Sequence, residues 1–198
     1  VANYAAGHWL TGRLGGLASD ELIAAVAADY GLTLRAVDAV PPLLFGLEID
    51  SLASARDAVQ PLLDSAGLGI HDSPQGLVFA RPRPRLAVAI PAGRLVATDN
   101  PLTSRMRSDS AETLARVAFG YIDRQRDYLT GAVTATTLGA GATSGINTPL
   151  VLDLAGARTA AEYRLSSDAA ARETLDLVLP PSLAALEAGD VLSIDGQG

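Results

Sequence analysis

Residues 114–138 read LARVAFGYIDRQRDYLTGAVTATTL, and this stretch restricts the fold more than any other. Val117, Phe119 and Tyr121 share one face of its first run, and Val133, Ala135 and Thr137 share one face of its second. That period of two predicts two strands, each buried on one side. Between them lies Asp123-Arg124-Gln125-Arg126-Asp127-Tyr128. A tight hairpin closes with about two residues, so a charged hexapeptide predicts a connection with a task of its own. Tyrosine offers a rigid apolar body with a polar tip, and arginine a fork that matches carboxylates. The expectation is therefore a connection used for assembly, with Tyr128 anchored and Arg124 and Arg126 reaching outward. Asp123 and Asp127 read as turn or interface contacts. The plain alternative is a solvated hairpin tip. Asp123, Arg124, Arg126, Asp127 and Tyr128 form the candidate interface.

The remaining 173 or so residues must supply a core, and the composition allows it: 198 residues, 48% of them apolar, with a mean hydropathy of +0.24, suffice for one domain or two small ones. A net charge of -7 argues against a dedicated surface for duplex DNA or anionic lipid, both of which need concentrated positive charge. The expected partners are proteins. Without cysteine, neither disulfides nor thiolate metal sites are available. No apolar run approaches the roughly 20 residues of a membrane-spanning helix. All fifteen basic residues are arginine, which resembles a coding bias more than an adaptation.

The first half holds one unit twice. Ser19 is a plausible N-cap, followed by Asp20 and Glu21 at the positive end of a helix whose Leu22, Ile23, Val26 and Tyr30 share a face before Gly31 stops it. Residues 32–37 then read as extended. The unit returns with Ser54 and Asp57 spaced as a capping box, Val59, Leu62, Leu63 and Ala66 on one face, and Gly67 as a left-handed stop. Pro61 removes one backbone bond inside that second helix. Turn formers at 72–76, followed by Leu77, Val78 and Phe79, close a hairpin. Arg81-Pro82-Arg83-Pro84-Arg85 cannot be helix or central strand, and it marks a boundary between residues 1–84, an α+β helix-strand repeat, and residues 85–198. In the second unit Leu86, Val88 and Ile90 alternate and 95–97 can pair back on them. Residues 139–147 read as a small-residue loop, 150–152 as a short apolar strand, and Asp153 as the cap of a helix reaching about Ala171. Leu175, Leu177 and Leu179 alternate, and 190–195 supply a last strand. The expected class is α+β, its second half a β-rich, partly open barrel or sandwich with one helix.

Chemistry finds little to stand on. Ser104, His71 and Asp99 can be written as a triad, but no nucleophile-elbow motif supports it. His8 beside Trp9 reads as packing, and two separated histidines make a poor metal site. Gly139-Ala140-Gly141-Ala142 lacks the lysine and the strand-helix context of a phosphate loop. A retaining glycosidase needs paired carboxyl groups about 5 Å apart, and no spacing here points to such a pair. The expectations are no catalytic residue, no cofactor and no metal. The Arg105–Arg107 and Arg124–Arg126 repeats read as solvated or interface charge.

The order of several short segments resembles the hub proteins of phage tails, most of all those of gene transfer agents. The strand ending in Tyr121-Ile122-Asp123, the charged connection and Asp127-Tyr128 before a second strand carry the likeness. His8-Trp9-Leu10-Thr11-Gly12-Arg13-Leu14-Gly15 resembles the family's lead-in. Ser54-Ala55-Arg56-Asp57-Ala58 with Pro61-Leu62 resembles its second helix, and Phe79-Ala80-Arg81-Pro82-Arg83 the close of its hairpin. Leu179-Pro180-Pro181 with Leu186-Glu187-Ala188-Gly189-Asp190-Val191 resembles its final segment. Phe45-Gly46-Leu47-Glu48-Ile49 keeps only the outline of the corresponding strand. A start at Val1 and an end in Asp195-Gly196-Gln197-Gly198 fit a piece of a longer hub. The resemblance implies a structural component of a tail-tip hub or baseplate, trimeric in the full protein, joined to other tail proteins in a phage, prophage or gene-transfer-agent particle and assembled in the bacterial cytoplasm. A carbohydrate-active or cell-wall-degrading module is the alternative, and a generic adhesion module a third reading.

Overall fold

In a computed structural model the described residues are 16–38, 44–49, 54–81, 87–96, 103–109, 111–186 and 189–194. The lead-in at 8–15, the connector at 82–86, Asp99, Glu187 with Ala188, and the closing residues 195–198 lie outside them.

Helix α1 (Ser19–Asp29) starts one residue earlier than its polar signal predicts: Ala18 occupies the cap position without a side-chain bond, and Ser19 is buried instead. Helix α2 (Ala55–Ala66) keeps the predicted box, with the Asp57 N–H donating to Ser54 Oγ at 3.2 Å and the Ser54 hydroxyl donating to the Asp57 carboxylate at 2.7 Å. Pro61 sits inside it. Gly67 closes it at φ 67, a left-handed conformation that L side chains adopt only at a cost. Strand β1 (Leu34–Val37) leaves α1 and pairs in parallel with β4 (Leu77–Ala80), which forms the predicted hairpin with β3 (Gly69–His71). Two helices and a three-stranded sheet, ordered β1-β4-β3, result.

The larger sheet is ordered β2-β9-β7-β8, from β2 (Gly46–Leu47), β7 (Leu114–Asp123), β8 (Leu129–Thr136) and β9 (Ala142–Leu152). Strands β7 and β8 pair antiparallel from Arg116↔Thr136 to Asp123↔Leu129, as their alternation predicts. The expected small-residue loop at 139–147 is mostly strand, because β9 runs parallel to β7 on its other side. To get there from β8 the chain must pass beneath the start of β7, held by Thr137 N–H to the Ala115 carbonyl and Ala142 N–H to that of Thr113. A side chain at Gly141 would strike the Thr113 carbonyl. Small residues are needed there for a close crossing.

Helix α3 (Leu154–Ala170) begins at the predicted cap, Asp153 Oδ1 accepting from the Gly156 N–H at 2.7 Å. Its Ala157, Ala160 and Ala161 are buried, small side chains that let the helix lie close on β7 and β8. One apolar cluster joins Ile23 and Val26 of α1, Leu62 and Leu63 of α2, Phe79 of β4, Val117, Phe119 and Tyr121 of β7, Leu150 and Leu152 of β9, and the α3 alanines. It draws on both sides of residues 84 and 85. Truncating a side chain as enclosed as Leu62, 0% exposed, costs about 2–5 kcal/mol.

Outside that cluster stand two ribbons. Strand β6 (Thr103–Arg107) pairs antiparallel with β10 (Glu173–Leu177), and β5 (Val88–Ile90) pairs in parallel with β11 (Leu192–Ile194). Leu95 and Val96 do not pair back on β5, and Ala97 lies outside the described residues. A 3-10 turn at Ala92–Arg94 intervenes, and the Val96 N–H donates to the Val178 carbonyl. Arg105 and Arg107, on β6, converge on Glu173, and the hydrogen bond from Arg105 holds that carboxyl below its usual range. The class is α+β. Among the described residues no sheet closes into a barrel: β7, β8 and β9 form an open sheet covered on one face by α3, and the ribbons remain separate.

Candidate assembly interface

The β7–β8 connection is built from its first residue outward. Asp123 ends β7 with only 7% of its surface exposed. Its Oδ1 accepts from the Gln125 N–H at 2.9 Å, its Oδ2 from the Tyr121 hydroxyl at 3.3 Å, and its carbonyl from the Tyr128 N–H at 3.0 Å. One aspartate thus starts the 3-10 turn Arg124–Arg126 and fixes where it ends. Burial, followed by the Asp123 charge beside it, pushes the Tyr121 hydroxyl above its ordinary pKa.

Asp127 (φ 53) and Tyr128 (φ 61) follow, the two non-glycine residues at positive φ among the described residues. For an L residue that conformation costs roughly 1–2 kcal/mol, and strain of this kind persists where the surroundings enforce it, often at functional sites. The Asp123 bonds and the Asp123↔Leu129 pairing are the enforcement here.

The side chains divide differently from the expectation. Arg124 folds back, its guanidinium 4.3 Å from the centre of the Phe45 ring, a cation–π distance. Arg126 and Asp127 face solvent. Tyr128 is 59% exposed and Leu129 61%, so within this chain Tyr128 is displayed rather than anchored. Asp123 and Arg124 hold the connection, which leaves the tyrosine free for another surface. The Tyr121–Asp123 contact was readable, since residues two apart on a strand share a face; the Phe45 partner, distant in sequence, carried no signal.

Two grooves flank the large sheet. One, of about 670 Å³, lies between α3 and the base of the hairpin, lined by Leu114, Thr134, Thr136, Leu138, Glu162 and Arg172 among others. The second, of about 430 Å³, runs between α2 and β9, past Asp57, Gln60, Asp64, Asn147 and Arg164. Both carboxylates of the second groove already accept hydrogen bonds, Asp57 from Ser54 and Asp64 from the Gln60 amide at 2.8 Å. His71 and Ser104 sit on different sheets, β3 and β6. Among the described residues no three His, Asp or Glu side chains cluster to hold a metal, and no helix is long and apolar enough to cross a membrane.

This architecture is shared with particle proteins. A chain in the solved virion of a native gene transfer agent particle is 28% identical with a TM-score of 0.83, over 99% of this chain and 46% of that one. The 43 kDa tail protein of prophage MuSo2 from Shewanella oneidensis (12% identity, TM-score 0.60, covering 99% of this chain and 62% of that one) has the same fold. So does the tail protein from Neisseria meningitidis MC58 (17%, 0.56, covering 93% and 58%). The chain therefore spans between 46% and 62% of the length of these relatives. The sequence has no significant match among curated proteins. Residues 54–198 match the family model described as "Putative phage tail protein". With that match extending over most of its length, the chain belongs to this family of phage tail proteins.

Proposed function

We propose that the chain is a structural component of a phage-like tail-tip hub, acting in tail and baseplate assembly and in attaching the parts that contact the host. The observation that carries this reading is the likeness over 99% of its length to a chain of an assembled gene-transfer-agent virion. A rigid, strained connection that displays a tyrosine and a leucine supports a role in contact rather than turnover. The groove carboxylates support it too: Asp57 and Asp64 are each already engaged by a neighbour along the same helix, Ser54 at its cap and Gln60 within it, and are not set as a pair facing each other across the groove. In the assembled hub the protein associates with its own copies, as a trimer, and with neighbouring tail proteins.

Immunogold electron microscopy tests this directly. The native protein is epitope-tagged in a strain that releases the particles. Label at the tail tip is expected. Label on heads only, or particles that retain complete tails after the gene is deleted, would overturn the reading.

A further inference from the structure

The displayed connection and the first groove occupy opposite ends of one hairpin. Strand β7 meets the connection at Asp123↔Leu129 and the groove at Arg116↔Thr136, seven residue steps that span about 23 Å at the usual rise. At the far end the groove opens between α3 and the base of β7 and β8. Leu114 and Leu165 lie in it, and Leu138, 102% exposed, stands on its rim. Its charged members are Glu162 and Arg172. The tip carries the complementary set: Tyr128 and Leu129 exposed, with Arg126 before them and Asp127 between. A groove of about 670 Å³ has room for both side chains.

We infer that the Tyr128–Leu129 tip of one copy seats in the α3–hairpin groove of the next, with Arg126 directed at Glu162 and Asp127 at Arg172. The inference rests on the hub reading and names the partner of its interface as a second copy of this chain. Complementary patches at two separate places on one molecule make the contact heterologous, so every copy offers both a tip and a groove. The strain at Asp127 and Tyr128 fits this use, because a tip fixed before contact loses little conformational freedom on docking. The Leu138 side chain, with no cover in the single chain, would close over the inserted ring.

The absence of cysteine from the sequence gives a clean test. The Thr130→Cys, Ser166→Cys double variant, which keeps Tyr128 and Leu129 in place, is oxidised with copper phenanthroline, both as the purified chain at high concentration and as the native protein in particles. Links are then mapped by mass spectrometry. A 130–166 link between copies is expected, at a yield at least fivefold above that of either single variant. Arg126→Glu should cut that yield about fivefold, and adding Glu162→Arg should restore it; all these positions are exposed, so folding is preserved. Particles that carry the protein at the tail tip but give no 130–166 link, or links only between two copies of position 130, would overturn the inference and leave the hub reading standing. Absence of the protein from tail tips would remove the hub reading itself.

Discussion

Replacing Gly67 with alanine should be among the most damaging small changes in this chain. Two costs combine. Gly67 holds φ 67 as the stop of α2, which in an L residue costs roughly 1–2 kcal/mol. A Cβ there would also collide with the ring of Tyr163 on α3. That ring is backed by the Arg81 guanidinium 6.0 Å from its centre, and Arg81 is itself tied through Nε to the Ala66 carbonyl at 2.8 Å. Displacing the ring against such a neighbour adds about 1–3 kcal/mol of overpacking. The sum, about 2–5 kcal/mol, corresponds to a fall of roughly 5–15 °C in Tm at this chain length. Two controls separate the terms. Gly31 shares the left-handed geometry at φ 69 but has open space around it, so Gly31→Ala should cost strain alone, about 1–2 kcal/mol. Gly93 has open space and no positive φ, so Gly93→Ala should be neutral or stabilising by up to about 1 kcal/mol. Thermal and urea unfolding of the three variants give the order directly. If Gly67→Ala costs no more than Gly31→Ala, the packing of the α2 corner against α3 is wrong.

The connection and its support give further outcomes. Arg124→Ala should destabilise by about 0.5–1 kcal/mol, the worth of an exposed cation–π contact, whereas Arg126→Ala should leave the urea midpoint unchanged; equal effects would contradict the Phe45 stack. Tyr121 has its pKa raised above 10.0 by burial first and Asp123 second. A folded pKa above the unfolded one means that the neutral hydroxyl's contribution is complete below pH 10.0 and is lost as pH rises through the folded value. The unfolding midpoint should therefore decline on the alkaline side, and Tyr121→Phe should flatten that decline; an unaltered limb in the variant would refute the assignment.

Local chemistry made some of this legible. The box at Ser54 and Asp57, the stop at Gly67 and the Asp153 cap are each decided within about four residues, and the structure has all three. The β7–β8 pair was readable from period-two burial. What the sequence hid depends on partners far along the chain. Residues 142–149 are too small and polar to announce a strand, yet they become β9 because β7 offers them a parallel edge. Leu95 and Val96 leave β5 through the 3-10 turn Ala92–Arg94, and the Val96 N–H finds its acceptor at Val178, about eighty residues later. In the candidate interface, Asp123 was read as a turn residue and does start the turn. The exchange of roles between Arg124 and Tyr128 followed from Phe45, a residue near β2 that no spacing linked to the hairpin.

The most direct measurement is incorporation of the native protein carrying Arg126→Ala and Tyr128→Ala into particles. Both side chains are exposed, so the unfolding free energy of the variant should match the parent within about 0.5 kcal/mol, as substitutions at free surface do. Quantitative mass spectrometry of purified particles, with electron microscopy of their tails, should then show at least a tenfold loss of the protein and of complete tails. Normal tails containing the variant at the parental level would contradict the claim that this connection is an assembly contact.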